Sequence, residues 1–433
     1  MRVSRRSFIQ AGALAGMAMA AGAGETGNAA ASPGAVRVGV VGVGNRGTGL
    51  LAALLQIPGV EVPAVCDLVE ERAARAQDTV AQAGQKRPEA YTRGEKDYER
   101  LVARDDLDAV ICATSWKWHT PVTVAAMRAG KYGGTEVPAA QTIEECWELV
   151  RASEETGIPC MMLENVCYFR EILALLRMVR EGVFGELLHA EAGYQHDCRF
   201  LLFDEQGLTW RGAASAEKNG NQYPTHPIGP IAQWFNINRG DRFMRLVSMS
   251  TNARGMRGCA DGKFGADHPL AKREYAQGDV NTCLIQTANG LTVTLYFDMM
   301  TPRPYDSVFR LQGTRGIHTG GRVYIEGLSP KEHEYEPFEP YLEKYAHPLW
   351  TQLEAEANKH GGHGGADFIT VYEFIKAVRN KTQTPQDVYD AAAWSAIVPL
   401  SVQSVAQGGT NLEFPDFTAG TWKSRQPVVI YGA

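Results

Sequence analysis

The stretch Val36-Arg37-Val38-Gly39-Val40-Val41-Gly42-Val43-Gly44-Asn45-Arg46-Gly47 decides how this chain starts to fold. Its valines are branched at Cβ and favour an extended backbone. With Arg37 as its one charge before the glycines, Val36–Val43 reads as a strand buried on both faces. Gly42, Gly44 and Gly47 then stand in the order G-x-G-x-x-G, and Gly47 to Leu55 reads as a helix. A strand that turns tightly on glycines into a helix brings backbone N–H groups close to an anionic pyrophosphate. Twenty residues past Gly47, at the end of a second valine-rich run (Val60–Cys66), stands Asp67. A carboxylate there accepts hydrogen bonds from ribose hydroxyls and repels a 2′-phosphate, so the pattern points to NAD rather than NADP.

The alternation continues outward. Glu70–Ala83 has helical character, Leu107–Thr114 reads as a buried strand, and Pro121–Ala129 and Ile143–Thr156 read as helices. This order predicts an α/β fold opening with a doubly wound parallel sheet, a Rossmann domain over residues 35–160. Beyond it Glu186–Tyr194, Phe243–Ser250 and Thr282–Phe297 look like longer, partly alternating strands, with a hairpin signal at Asn289-Gly290. Phe368–Arg379 and Ala391–Ala406 read as late helices. Residues 161–433 are therefore expected to form an α+β substrate domain, a mostly antiparallel open sheet with helices on one face.

Residues 1–31 stand apart. Arg2, Arg5 and Arg6 precede a small, weakly apolar run from Ala11 to Ala23, and Asn28-Ala29-Ala30-Ala31 suits a signal peptidase. The run is too short and too mild for a membrane anchor. Arg5-Arg6-Ser7-Phe8-Ile9 resembles a twin-arginine signal, which implies the twin-arginine export machinery as a partner and a periplasmic or secreted destination. The whole 433-residue chain is 44% hydrophobic and 21% charged with net charge −6. No basic run marks a nucleic-acid surface. The eight cysteines form no C-x-x-C pair and lie in apolar segments, which suits buried thiols rather than disulfides. No His/Asp/Glu spacing suggests a metal.

Several short motifs carry a family likeness when taken in order: the glycine loop, Ser115-Trp116-Lys117-Trp118-His119, Glu136-Val137-Pro138, Met162-Leu163-Glu164-Asn165, Gly220-Asn221-Gln222-Tyr223-Pro224-Thr225-His226 and Pro302-Arg303-Pro304-Tyr305. Together they resemble glycoside hydrolase family 109, NAD-dependent N-acetylgalactosaminidases within the wider glucose–fructose oxidoreductase and inositol dehydrogenase superfamily. The resemblance implies that Asn45, Arg46 and Asp67 hold the adenosine half of NAD. It implies that Trp116, Trp118, His119, Glu136, Val137 and Asn165 line its ribose and nicotinamide. Tyr194, Arg211, Tyr223, His226 and Tyr305 would face the sugar, and a homo-oligomer would form through the open face of the second sheet. Two departures stand out: Ser115 replaces a proline usual in the family, and the segment between Tyr194 and Tyr223 is shortened.

Sugar dehydrogenases of that superfamily carry Glu-Lys-Pro, whose lysine helps remove a proton from the hydroxyl being oxidised. Here Val137 stands in its place and can carry no proton. Histidine titrates near neutral pH, so His226 is the expected base, aided by Tyr223, with Tyr194 as a second proton acceptor. His196 and His363 (within Gly361-Gly362-His363-Gly364-Gly365) are left open between structural and functional roles. An ordinary glycosidase sets two carboxylates across the scissile bond, and no such pair is evident. The NAD-dependent route needs none: oxidation at C3, elimination of the C1 group, addition of water and reduction. It leaves NAD tightly bound and not consumed, which suits a protein exported already folded. Two other readings stand beside it: a sugar or cyclitol oxidoreductase that swaps two substrates, and a sugar-binding protein without catalysis.

Overall fold

The computed structural model describes residues 34–360 and 362–427; the export signal expected in residues 1–31 lies outside them. Six strands pair in parallel in the order β3-β2-β1-β4-β5-β6: β1 (Val36–Val41), β2 (Val60–Cys66), β3 (Glu89–Tyr91), β4 (Ala109–Cys112), β5 (Tyr132–Thr135) and β6 (Cys160–Met162). The strand order reverses between β1 and β4, where Val41 pairs with both Cys66 and Cys112. In a doubly wound sheet the crevice beyond that switch point is where a ligand binds.

Nine more strands form the second sheet. They are β7 (Leu187–Gln195), β8 (Phe243–Ser250), β9 (Asn281–Thr287), β10 (Thr292–Asp298), β11 (Arg310–Gly313), β12 (Gly316–Thr319), β13 (Arg322–Ile325), β14 (Glu336–Pro337) and β15 (Leu412–Glu413). Their order is β14-β13-β12-β11-β7-β10-β9-β8-β15, and every pair is antiparallel except β7 with β10. Asn289-Gly290 turns β9 into β10, with Gly290 at φ +85°. Along β9 buried and exposed side chains alternate. Helix Thr225–Trp234 packs on β7 and β10, and helix Ile397–Ala406 packs on β8.

Two features differ from the sequence reading. The late helix expected over Ala391–Ala406 is two helices, Val388–Ser395 and Ile397–Ala406. Pro399 has no N–H and its ring would strike the Ser395 carbonyl in a continuous helix, so the chain restarts at Ala396 with Pro399 in the new first turn. Helix Ala366–Asn380, far along the chain, leaves the second sheet and packs on helix Asn45–Leu54 beneath the glycine loop. All eight cysteines are free thiols, seven of them buried. No helix among the described residues is long and apolar enough to cross a membrane.

Candidate active site

The site begins at the switch point. Gly42 has φ +86°, which side-chain-bearing residues rarely adopt, and its N–H donates to Cys66 O at 2.7 Å. A Cβ on Gly42 would lie 2.7 Å from the Ala113 backbone, and one on Gly47 would lie 1.8 Å from Gly42 O. Gly44 faces open space, with Arg72 Nη1 its nearest neighbour at 3.7 Å. Two glycines thus close the loop on the protein, and the third leaves backbone bare for a phosphate. Asp67 accepts from the Val43 and Val69 N–H groups, each at 2.9 Å, which fixes its carboxylate at the end of β2. Asn45 is exposed in the first turn of the helix.

Arg46 bridges two buried carboxylates: Nε donates to Glu136 Oε1 at 2.6 Å and Nη1 to Asp367 Oδ2 at 2.7 Å. Asp367 also accepts from Asn165 Nδ2 at 2.7 Å and His363 Nδ1 at 2.9 Å. Burial disfavours the Asp367 carboxylate, but His363 and Arg46 outweigh it and hold the group well below the usual carboxylate range. In return the hydrogen bond to Asp367 outweighs burial at His363 and lifts its imidazole above the ordinary value. Asp367 carries no motif in the sequence; its one local signal is the i, i+4 spacing from His363 at a helix start.

A cavity of about 140 Å3 opens between these groups and the second sheet. Arg46, Trp116, His119, Glu136, Val137 and Asn165 from the first domain line it with Tyr194, Arg211, Tyr223, His226 and His363 from the second. His226 sits in the first turn of helix Thr225–Trp234. Pro227 is tolerated there because N–H groups of a first turn have no intrahelical acceptor. His226 Nδ1 lies 2.6 Å from Glu164 Oε1. The carboxylate only accepts, so Nδ1 carries the proton and neutral His226 keeps Nε2 as its acceptor. Glu164 is fully buried and also accepts from Val166 N–H at 3.0 Å.

Tyr223 packs with its ring centre 4.9 Å from His226 and 4.8 Å from Tyr194, and burial pushes both phenols up. The Arg211 guanidinium lies 5.0 Å from Trp116, 4.5 Å from Trp210 and 5.4 Å from Tyr223, a cation held by three aromatic faces. Trp210, which sequence reasoning passed over, thereby joins the wall. His119 sits with Nδ1 2.8 Å from Pro138 O and Nε2 3.2 Å from Thr114 O, and burial pushes its pKa down. It braces the loops after β4 and β5. Two expected residues lie off the cavity wall. Trp118 packs on Tyr98, and Tyr305 packs against His196, 5.3 Å between ring centres.

The residues fit a dinucleotide. Beside the open Gly44 backbone, Trp116 Nε1 and Asn165 Oδ1 are a buried donor and a buried acceptor without protein partners. Among the described residues no group of His, Cys, Asp and Glu could hold a metal ion.

Comparison with known proteins agrees with this architecture. Residues 36–163 match the profile of an oxidoreductase family with an NAD-binding Rossmann fold, and residues 168–424 match that of the glycosyl hydrolase 109 C-terminal domain. An alpha-N-acetylgalactosaminidase of Tannerella forsythia is 46% identical over 418 residues, covering 92% of this chain and 89% of that protein. A glycosyl hydrolase family 109 protein of Parabacteroides distasonis is 42% identical over 99% of both chains. Among solved structures, a levoglucosan dehydrogenase in complex with NADH superposes with a TM-score of 0.68 at 20% identity, over 88% of this chain and 99% of that one. That likeness concerns the fold. An NAD-binding Rossmann domain, joined to a second domain that matches the family over most of its length, makes this chain a member of glycosyl hydrolase family 109.

Proposed function

We propose that the protein removes terminal N-acetylgalactosamine from a glycan or small glycoside by a cycle that leaves its cofactor unchanged. The observation that carries this reading is the imidazole of His226, fixed by Glu164 and facing a wall where Val137 offers no proton acceptor. NAD, if bound, would be held by the glycine loop, Asp67, Trp116 and Asn165, and would supply hydride acceptance from the sugar's C3 and hydride return. His226 Nε2 takes the C3 hydroxyl proton, and Glu164 stabilises the imidazolium that forms. The C3 ketone acidifies the C2 proton. His226, once it has passed the C3 hydroxyl proton to solvent, takes the C2 proton and later returns it, and Tyr194, a phenol held neutral by burial, borders the same space. Arg211 orients the acyl group, its aromatic box leaving N–H donors directed at a carbonyl oxygen.

His363 lines the same cavity as His226, with its charged form favoured by Asp367. In this reading it gives a proton to the departing C1 oxygen and takes one from the incoming water. The alkaline limb of activity then follows His363. Several solved structures of like fold are dehydrogenases, and the lysine that sugar dehydrogenases of the superfamily carry is Val137 in this chain. A redox-neutral cycle also accommodates export: NAD is taken up inside the cell, retained tightly, and carried out within the fold by the twin-arginine route.

Hydrolysis of a nitrophenyl N-acetylgalactosaminide without added NAD, run in heavy water, tests the scheme. Phenol release with deuterium at C2 of the sugar is expected. Release without deuterium removes the elimination step, and accumulation of NADH would make the protein a net oxidoreductase. His226→Ala is expected to lose about 10²–10⁴ in kcat, the scale of general acid–base catalysis, while keeping its NAD.

A further inference from the structure

Gly229 stands where helix stability gives no reason for a glycine. It is buried inside helix Thr225–Trp234, three residues after His226, and Pro230 follows it. Glycine and proline are the residues that weaken a helix interior most. Pro230 also has no N–H to offer the His226 carbonyl one turn before it, and its ring crowds that carbonyl. Two unfavourable residues thus sit side by side in the turn after the candidate base.

A Cβ on Gly229 would lie 2.9 Å from Cys167 Sγ, 2.9 Å from Trp394 Cζ3 and 3.0 Å from Glu164 Cγ. Non-bonded carbons rest at about 3.5–4.0 Å, so a neighbour would have to move. Trp394 is a rigid ring with 1% of its surface exposed, and Cys167 is buried in the short helical turn Asn165–Tyr168. Glu164 caps that turn, and of the three it has the longest and most flexible side chain. Both hydrogen bonds to its carboxylate fall on Oε1, from Val166 N–H and His226 Nδ1. Oε2 is buried and meets no donor among the described residues. Packing of the Glu164 stem against the bare face of Gly229 therefore helps decide where the carboxylate sits.

We propose that Gly229 is a positioning residue. By leaving out a side chain, it lets the Glu164 stem lie against the helix and brings Glu164 Oε1 to His226 Nδ1. It acts through Glu164, and the tautomer of His226 depends on it. Its effect on turnover rests on the reading of His226 as the base, but the contact it sets does not.

Gly229→Ala tests it, since alanine is the residue a helix interior favours most. NMR of the holoprotein with 15N-labelled histidine reads the contact without turnover. A downfield Nδ1–H signal, assigned by its loss in His226→Ala, is expected in wild type and is expected to vanish in Gly229→Ala. Its persistence in Gly229→Ala, or its absence from wild type, overturns the proposal. Hydrolysis of the nitrophenyl glycoside gives the second reading. Gly229→Ala is expected to lose about 100-fold in kcat with KM, bound NAD and Tm held. In a Glu164→Ala background the same change is expected to cost less than about twofold, because the contact is already gone. Equal losses in both backgrounds would mark a general packing defect and overturn the proposal. If Gly229→Ala alone does not fold, adding Cys167→Ala removes one of the three contacts, and the same two readings apply to that double variant. Loss of the Nδ1–H signal in a protein whose wild type cleaves nothing sustains the positioning role and sinks only the glycosidase reading.

Discussion

Glu164 shows what a single side chain contributes when it touches no reactant. Its carboxylate sets which nitrogen of His226 carries the proton. Glu164→Gln keeps the shape and removes the charge that stabilises the imidazolium. We expect kcat to fall about 100-fold with KM and bound NAD held, and Glu164→Asp to restore part of the loss. A drop in KM affinity or NAD content in equal measure would mark Glu164 as structural. Asp367 acts on His363 in the opposite part of the site. Asp367→Asn withdraws the charge that lifts the imidazole, so its pKa falls towards about 6.5, the unperturbed value. If protonated His363 is the acid, the alkaline limb of hydrolysis moves to lower pH, most clearly for glycosides with poor leaving groups. The sequence makes His226 legible because a missing lysine requires a substitute. It hides Asp367, whose partners Arg46 and Asn165 are 321 and 202 positions away. Only tertiary packing brings those charges together, and no local pattern records it.

At the scale of elements, the glycine loop was readable because each requirement is local: a strand, a turn that excludes Cβ, a helix start. Its glycines nonetheless answer to different neighbours. Gly47→Ala drives a methyl group into Gly42 O, so it is expected to lower Tm and abolish NAD binding together. Gly44→Ala meets no protein atom closer than 3.7 Å, so Tm should hold while NAD affinity falls. Thermal melts with and without added NAD separate the two. If Gly44→Ala binds NAD as wild type does, the phosphate is not at that backbone. The strands β11, β12 and β13 escaped the sequence reading because each spans four residues, too few for alternation to show. The restart at Ala396 escaped because the apolar pattern runs on through Pro399. The hairpin at Asn289-Gly290 was plain because the turn chemistry itself dictates it.

For the whole molecule, the exported-holoprotein proposal predicts that denaturing purified protein releases NAD in near-stoichiometric amount, measured by enzymatic cycling of the supernatant. Arg5→Lys with Arg6→Lys is expected to hold the protein in the cytoplasm with its NAD, and normal periplasmic yield from that variant would reject the route. The link from Arg46 to Asp367 bears on when loading happens. The glycine loop leaves the ribosome early, but Arg46 then has only Glu136 to hold it, and helix Ala366–Asn380 has not yet been made to close beneath it. The cofactor pocket is thus a late product of synthesis, finished when the last sixth of the chain emerges. If the export proposal holds, coenzyme capture would report to the cell that translation of the chain has run nearly to its end.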